Sequence, residues 1–269
     1  MHNVLVRRYE AVATLELNRP HRKNSLTTEL VEEAIAAVED VARSAQDRVL
    51  VVTGAGDSFC SGMDLSAPLL PDEMTFMRRV GQLCTLVQGL PKPTIAKVNG
   101  PAMGFGANFA LCCDFVLAGE GALFGEMFAD LGISVDGGGT WSLPRRVGLA
   151  KAKELAFFGE RISGTEAAEL GIADRVVPDA ELDSLVESWA ERLAAGPTQA
   201  FAMMKKSINA SFETSFERAV EQEALAQAVA FRSREAKEAG RARMEKRRPD
   251  FRGAVSASRE GLGSGTRSR

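Results

Sequence analysis

The first half of the chain alternates short apolar segments of strand composition with longer segments of helical periodicity, and this order constrains the fold most strongly. Residues 4–6, 12–17 and 49–53 have the β-branched, apolar character of strands. Between the second and the third, residues 27–42 place apolar side chains at the three- and four-residue spacing of a helix face. Strands that alternate with helices predict an α/β domain with largely parallel pairing.

The same alternation continues to about residue 145 and then gives way to helices. The pattern predicts a helix over 72–90, a strand over 94–98, a short helix over 107–112 and a strand over 115–118. Beyond residue 145 the only good strand candidate is 175–177. The predicted helices there are 167–170, which follows a capping box from Ser163 to Glu166, and 182–194, 198–210 and 214–238.

Changes in composition divide the chain into three predicted regions. Residues 1–195 form the predicted core, residues 196–253 a helical C-terminal region, and the Ser- and Gly-rich residues 254–269 a disordered tail. Residues 232–252 carry nine Lys or Arg and four Asp or Glu. Such a charge run is usually a solvated helix face, and the alternative is contact with the phosphate groups of a ligand or with a neighbouring subunit.

Overall charge gives no reason to expect a nucleic-acid or membrane partner. The 269 residues have a net charge of -3 at pH 7. No apolar run approaches the roughly 18 residues that span a bilayer, and charged residues interrupt the first 20 residues, which therefore lack the apolar segment of a signal peptide. We expect a soluble, cytoplasmic protein.

The cysteines and histidines do not have the spacing of a metal centre or a disulfide framework. The four cysteines show no CxxC pair, and the two histidines, His2 and His21, lie near the N-terminus. A catalytic site built on histidine is also poorly supported. We expect reduced, mostly buried thiols and no metal cofactor.

Two glycine-containing turns each follow a predicted strand. The first is FCSGMDL at 59–65, and the second is NGPAMGFGAN at 99–108. Glycine permits backbone conformations that other residues avoid, so that amides beside it can point into a cavity. Two such amides would form an oxyanion hole, and the alternative is a pair of ordinary structural turns. Neither segment has the pattern of a phosphate-binding loop.

Four motifs occur in the order in which the crotonase (enoyl-CoA hydratase/isomerase) superfamily has them. They are LNRP at 17–20, FCSGMDL at 59–65, KPTIAKVNG at 92–100 and VDGGGT at 135–140, and the similarity continues from about residue 4 to residue 253. The chain therefore resembles that superfamily. The resemblance implies a spiral of ββα units in two sheets and C-terminal helices that pack in a homotrimer or in a hexamer of two trimers. It also implies an acyl-CoA substrate, in which coenzyme A is part of the substrate and not a separate cofactor.

The resemblance also assigns roles within the two turns. The backbone amides of Met63 and Phe105 would hold the thioester oxygen and stabilise the enolate that forms when the adjacent carbon loses a proton. The predicted substrate-binding residues of the turns are Ser61, Gly62, Asp64, Leu65 and Gly104. Arg22 and Lys23 match positions where the family places cations that face CoA, and the alternative is that they are solvated turn residues.

The acidic residues predict which reaction the site performs. Hydratases of the family use two glutamates to hold and deprotonate water, and the matching positions here are Asn108 and Phe128, neither of which can act as a general base. A third family position carries Asp136. The segments around Asn108 and Asp136 are especially similar to the ring-epoxide and enoyl-CoA isomerases of phenylacetyl-CoA degradation. The sequence therefore predicts an isomerase with Asp136 as the base.

Other interpretations of the acids stay open at this point. Asp136 could instead cap the following helix, which would lower its pKa, whereas burial would raise that pKa. Glu126 and Asp130 flank Phe128, and either could face the pocket. The alternative functions are a 2-enoyl-CoA hydratase that uses Asp136 or Glu126, and a non-catalytic acyl-CoA-binding or scaffold trimer.

Overall fold

The computed structural model describes residues 2–64 and 72–256, and within them the predicted alternation forms two sheets. The strands are β1 (Val4–Tyr9), β2 (Val12–Leu17), β3 (Val49–Gly54), β4 (Thr94–Val98), β5 (Ala102–Met103), β6 (Phe115–Gly119), β7 (Leu123–Gly125), β8 (Arg161–Ser163) and β9 (Arg175–Val177). The larger sheet has the order β1-β2-β3-β4-β6-β9. Only its β1–β2 pair is antiparallel, which confirms the predicted, largely parallel pairing.

The smaller sheet, in the order β5-β7-β8, sets the position of the second glycine turn. Strand β5 pairs in parallel with β7, and the amide of Gly104 continues this pairing with a 2.7 Å hydrogen bond to the carbonyl oxygen of Gly125. Strand β7 pairs antiparallel with β8. The segment that follows β7 therefore begins next to the turn that follows β5.

Helices follow or separate the strands, and most of them lie where the sequence predicts. They are α1 (Thr28–Arg43), α2 (Glu73–Gln88), α3 (Phe105–Leu111), α4 (Gly139–Val147), α5 (Leu149–Phe158), α6 (Gly164–Glu169), α7 (Leu182–Ala194), α8 (Thr198–Ala210), α9 (Phe216–Ala230), α10 (Arg234–Met244) and α11 (Phe251–Ser256). Helices α5 and α11 were not predicted. The capping box predicted from Ser163 and Glu166 is present at the start of α6.

The hydrophobic core lies between the larger sheet and the helices packed on it. Helix α1 begins after Thr27, whose side chain accepts a hydrogen bond from the amide of Leu30, and its apolar face packs against β1, β2 and α2. Strand β3 is buried along its whole length. All four cysteines are buried and free, as the sequence predicts.

The structure corrects several predicted elements. Strands β5, β7 and β8 have only two or three residues, too few to show an alternating pattern, so the sequence analysis missed them. The single helix predicted over 214–238 is wrong, because the chain turns between α9 and α10 and the side chain of Ser233 caps α10. Helix α11 continues through Ser256, three residues into the segment predicted to be a disordered tail, and residues 257–269 lie outside the described part.

The chain divides into two compact units, Met1–Ala190 and Glu191–Arg269. In the second unit, the carboxylate of Glu238 accepts hydrogen bonds from Nη1 of Arg247 and from the amide of Asp250, so the basic segment 232–252 is partly neutralised by its own acids. None of the helices in residues 2–64 and 72–256 combines the length and the apolar character needed to cross a membrane.

Candidate active site

The two glycine turns lie side by side in the first unit. The amide of Met103 donates a 2.9 Å hydrogen bond to the carbonyl oxygen of Cys60, and the amide of Cys60 donates one of 3.1 Å to the carbonyl oxygen of Pro101. A Cβ atom placed on Gly62 would lie 3.8 Å from the amide nitrogen of Phe105. The structure thus brings together the two turns that the sequence analysis singled out.

One glycine of each turn has a positive φ angle, and the amide of the residue that follows it does not bond to the carbonyl group of a neighbouring residue that the structure describes. Gly62 has a φ of +86° and Gly104 a φ of +52°, a region that other residues rarely adopt. Among residues 2–64 and 72–256, the amides of Met63 and Phe105 have no hydrogen-bond acceptor. Phe105 is the first residue of α3, which explains why its amide has no partner within the helix. Two free donors can stabilise an oxyanion.

A polar turn before α1 supports the first glycine turn. The carbonyl oxygen of Lys23 accepts a 3.0 Å hydrogen bond from the amide of Ser61, and the amide of Leu26 donates one of 2.8 Å to the carbonyl oxygen of Gly62. The buried amide side chain of Asn24 donates to the carbonyl oxygens of Ala55 and Ser58. Arg22 and Lys23 are exposed on this turn, beside Ser61.

Asp64 holds its turn with an ion pair. Its Oδ2 lies 2.9 Å from Nη2 of Arg19, and both side chains are largely buried. The Asp64 carboxylate is therefore engaged with Arg19, and a contact with substrate through the rest of this residue stays a prediction. Leu65 lies outside the described residues.

Asn108 is completely buried and joins two parts of the site. Its Nδ2 atom donates a 3.1 Å hydrogen bond to Oε2 of Glu126 and a 3.0 Å hydrogen bond to the backbone carbonyl oxygen of Asp136. A Cβ atom on Gly139 would lie 2.2 Å from Oδ1 of Asn108, so only glycine fits there. Asn108, at a position predicted to carry a glutamate in hydratases, thus makes structural hydrogen bonds in this protein.

Phe128, at the other predicted hydratase position, is buried and faces the second turn. Its ring atom Cζ would lie 3.6 Å from a Cβ atom on Gly104. Of the two acids that flank it, Asp130 is exposed and lies beside Gly159, whereas Glu126 is buried. An apolar ring therefore occupies the side of the turn where a hydratase would place an acid.

Asp136 is half-buried and accepts no hydrogen bond from the residues that the structure describes. Its Oδ1 atom is inaccessible to solvent and has no partner. Helix α4 is capped by Gly138 without a side-chain hydrogen bond, so the interpretation of Asp136 as a helix cap is wrong. Burial raises the pKa of Asp136 from 3.8 to about 6, because removal from water disfavours the ionised form.

The Asp136 segment packs on the second glycine turn. A Cβ atom on Gly137 would lie 3.3 Å from Cδ2 of Phe105. Burial raises the pKa of Cys60 to about 12, the hydrogen bond from the amide of Gly62 lowers it, and the charge of Asp136 makes a smaller contribution that raises it. The Asp136 segment thus contacts the second turn, and the charge of Asp136 acts on Cys60 in the first turn.

Glu126 is the residue of this cluster whose place the sequence did not predict. Burial raises its pKa to about 7, the hydrogen bond from Asn108 lowers it, and the charge of Asp136 raises it further. Asn108 and Glu126 are 18 positions apart. Only the pairing of β5 with β7 brings them together, and these strands are too short to be recognised in the sequence.

Comparisons with known proteins identify the family. A family model described as Enoyl-CoA hydratase/isomerase matches residues 7–254. The chain belongs to this family. The member described here is 37% identical over 251 residues to the 1,2-epoxyphenylacetyl-CoA isomerase of Escherichia coli, and the match covers 91% of this chain and 96% of that protein. It is 35% identical to the crotonyl-CoA hydratase of Syntrophomonas wolfei, with 93% and 97% covered.

Solved structures of enoyl-CoA hydratases share its fold. The crystal structure of the enoyl-CoA hydratase from Bacillus anthracis matches with a TM-score of 0.88 at 32% identity, covering 93% of this chain and 99% of that chain. This member of the enoyl-CoA hydratase/isomerase family therefore has the crotonase fold with a helical C-terminal region, which confirms the fold predicted from the motifs.

Proposed function

We propose that the protein is an enoyl-CoA isomerase, which moves the double bond of an acyl-CoA thioester from the 3,4 to the 2,3 position through an enolate. The observation that carries this proposal is the half-buried Asp136 carboxylate, which accepts no hydrogen bond among the described residues and belongs to a segment that packs on the turn of Phe105. A carboxylate held by the amides of a helix would instead favour a non-catalytic acyl-CoA-binding protein.

Asp136 acts as the proton carrier in the proposed reaction. With a pKa of about 6, it is mostly ionised at neutral pH and still basic enough to remove the acidified proton at C2 of the thioester. The electron pair moves onto the thioester oxygen, where the amides of Met63 and Phe105 donate hydrogen bonds. The electron pair then returns from the oxygen: the carbonyl re-forms, the double bond forms between C2 and C3, and the electrons of the C3–C4 double bond take the proton from the carboxyl group at C4.

The residues at the two hydratase positions support isomerisation over hydration. Asn108 uses both hydrogens of its amide to bind Glu126 and Asp136, and Phe128 offers no polar atom to a water molecule. The pocket therefore lacks the pair of glutamates that orients and deprotonates water in a hydratase. Similarity to the 1,2-epoxyphenylacetyl-CoA isomerase of Escherichia coli points in the same direction.

Hydration of a 2-enoyl-CoA is the second candidate function. Glu126 is buried close enough to Asp136 for their charges to interact, and a carboxyl group with a pKa of about 7 suits general acid–base work. The similarity to the crotonyl-CoA hydratase of Syntrophomonas wolfei also favours it. In this case Asp136 or Glu126 would activate the water.

The proposed CoA path runs along the first glycine turn. Ser61, Gly62 and Asp64 form this turn, and Arg22 and Lys23 are exposed on the neighbouring turn, where their positive charges suit the phosphates of CoA. Neither side chain makes an ion pair with another described residue. Coenzyme A enters and leaves as part of the substrate, so the proposed reaction uses no separate cofactor.

We propose a homotrimer, or a hexamer of two trimers, as the assembly. Several large apolar side chains of the second unit are exposed in the single chain, and such surfaces mark interfaces between subunits. They lie in and next to α8 and α9 and include Met204, Ile208, Phe212, Phe216, Val220, Leu225, Val229 and Phe231. Light scattering on the purified protein would give the number of subunits.

One assay series tests the proposed reaction. The purified protein is given a 3-enoyl-CoA and, separately, a 2-enoyl-CoA, and double-bond migration and water addition are followed independently. We expect migration at least about a hundredfold faster than hydration, since general acid–base groups contribute roughly 10² to 10⁴-fold. Equal rates would support the hydratase. Binding of both substrates without turnover would support the non-catalytic alternative.

A further inference from the structure

The carboxylate of Glu126 has a contact that the proposed reaction does not use. Its Oε2 accepts a hydrogen bond from Nδ2 of Asn108, and the same nitrogen binds the backbone carbonyl oxygen of Asp136. An amide nitrogen has two hydrogens, and each has one acceptor here. The orientation of the Asn108 amide is therefore fixed from two sides.

The other side of Glu126 is a small, mostly apolar cavity. Ala107, Leu111, Phe124, Leu143 and Ile172 are among the residues that line it. The cavity is at the lower limit of size for a single water molecule. A buried carboxylate in such surroundings depends on the hydrogen bond from Asn108, and the Asn108 amide depends equally on this acceptor.

We propose that Glu126 is a positioning residue for Asp136: its carboxyl group orients the Asn108 amide, and that amide holds the backbone of Asp136 beside the two oxyanion amides. This inference rests on the proposed function, since it takes Asp136 as the group that carries the proton. Glu126 itself does not contact the substrate.

The effect on the reaction follows from the geometry of the segment. Asp136 is followed by Gly137 and Gly138, both with positive φ, and its side chain accepts no hydrogen bond within the described residues. The bond from Asn108 to its carbonyl oxygen thus restrains a segment that its own side chain does not anchor. A displacement of about 1 Å in a catalytic group can lower the rate roughly a hundredfold.

Two matched variants distinguish the effect of the hydrogen bond from the effect of side-chain size. Glu126→Gln keeps an oxygen that accepts from Asn108, whereas Glu126→Met has the same length without that acceptor. We expect kcat for double-bond migration to fall about tenfold or more in Glu126→Met and to stay within about threefold of wild type in Glu126→Gln, with KM little changed in both. Thermal unfolding confirms that both variants are folded.

A second measurement is independent of activity. Carbon-13 labelling of aspartate carboxyl groups allows the titration of Asp136 to be followed by NMR, with Asp136→Asn to assign the signal. We expect Glu126→Met to shift this titration toward the ordinary pKa of aspartate, because a segment without its restraint becomes better hydrated. Both variants remove the Glu126 charge, which by itself lowers the pKa of Asp136, so Glu126→Gln measures that electrostatic part and Glu126→Met should shift the titration further.

The outcomes distinguish this inference from the proposed function. Equal titrations of Asp136 in the folded Met and Gln variants overturn the positioning role, and so does an equal loss of kcat in both variants, which would indicate that Glu126 transfers protons itself. If the wild type hydrates a 2-enoyl-CoA and moves no double bond, the proposed isomerisation fails. The NMR titration still decides whether Glu126 positions Asp136.

Discussion

The side-chain amide nitrogen of Asn108 lies 3.0 Å from the backbone carbonyl oxygen of Asp136. This contact joins α3, which begins with a predicted oxyanion amide, to the segment that carries the predicted base. The residue at this predicted hydratase position therefore uses its side-chain nitrogen to bind two other parts of the protein. The relationship explains how a pocket of this family can lose one acid and still hold another in place.

Asp136→Asn tests the assignment of the base. Asparagine has almost the same shape but does not take up a proton at neutral pH. We expect double-bond migration to fall by roughly 10²-fold or more, while the affinity for an acyl-CoA stays within a few-fold of wild type. Steady-state kinetics and calorimetric titration with an unreactive acyl-CoA provide the two values. Unchanged turnover would remove Asp136 from the mechanism.

Two substitutions at Phe105 test whether the backbone amide or the ring acts in the reaction. Phe105→Pro removes the N–H, and proline is tolerated at the first position of a helix. Phe105→Leu keeps the N–H and loses the stacking on Phe109, whose ring centre lies 5.2 Å away. We expect kcat to fall roughly 10² to 10³-fold in the proline variant only.

The comparison at Phe105 requires that both variants bind an acyl-CoA and unfold near the wild-type temperature. A similar loss of kcat in the leucine and proline variants would show that the aromatic ring, and not the amide, is the important feature. That result would contradict the oxyanion role of this turn.

The sequence predicted the parts of the site that depend on local motifs. The glycine turns follow from short segments whose glycines need positive φ, whereas the roles of the Met63 and Phe105 amides within them come from the resemblance to the family and stay a prediction. The larger sheet follows from periodicity, because each of its first strands has five or six residues. Local chemistry and length were sufficient for these features.

The protonation state of Asp136 and the place of Glu126 could not be predicted from the sequence. Capping and burial shift the pKa of Asp136 in opposite directions, and only the tertiary structure shows that the cap is absent and that burial dominates. Glu126 reaches Asn108 through the pairing of β5 with β7, which have two and three residues. Strands this short have no periodicity to detect.

The raised pKa of Asp136 predicts a stability effect that depends on pH. Folding raises this pKa from 3.8 to about 6, so the folded state binds more protons than the unfolded state between these values. The stability that the protonated carboxyl contributes is complete below about pH 4 and is lost as the pH rises through 6. Asparagine at this position does not titrate, so Asp136→Asn does not lose this stability. The free energy of unfolding of the variant minus that of wild type should therefore increase by about 2 kcal/mol from pH 4 to pH 8.

Urea unfolding at several pH values and one fixed protein concentration measures this difference. The charge of Asp136 also raises the pKa of Glu126, so its removal acts in the same direction. A stability difference that does not change with pH would show that the Asp136 carboxylate is well solvated. If burial does raise the pKa of Asp136, the stability of the inactive variant relative to wild type should be greater at pH 8 than at pH 4.

A gain of hydration tests why the pocket is expected to favour isomerisation. Asn108→Glu with Phe128→Glu would restore the two hydratase acids beside amides that are already in place. The structure adds a condition: a carboxylate at position 108 would lie next to Glu126 and near Asp136, and like charges so close together repel. Glu126→Gln is therefore included, so that the triple variant carries one acid fewer in the buried cluster than the double variant.

We expect the triple variant to add water to a 2-enoyl-CoA at a rate well above wild type, because paired general acid–base groups contribute roughly 10² to 10⁴-fold. Each single variant should show little gain, since one carboxylate cannot both orient and deprotonate the water. Loss of the buried Phe128 ring leaves space beside Gly104, so a partial rate and a lower melting temperature are expected. Glu126→Gln alone is the matched control, as it changes the charge of the cluster without adding a hydratase acid. If the wild type already hydrates a 2-enoyl-CoA as fast as it moves double bonds, Asn108 and Phe128 do not prevent hydration, and Asp136 or Glu126 must activate the water.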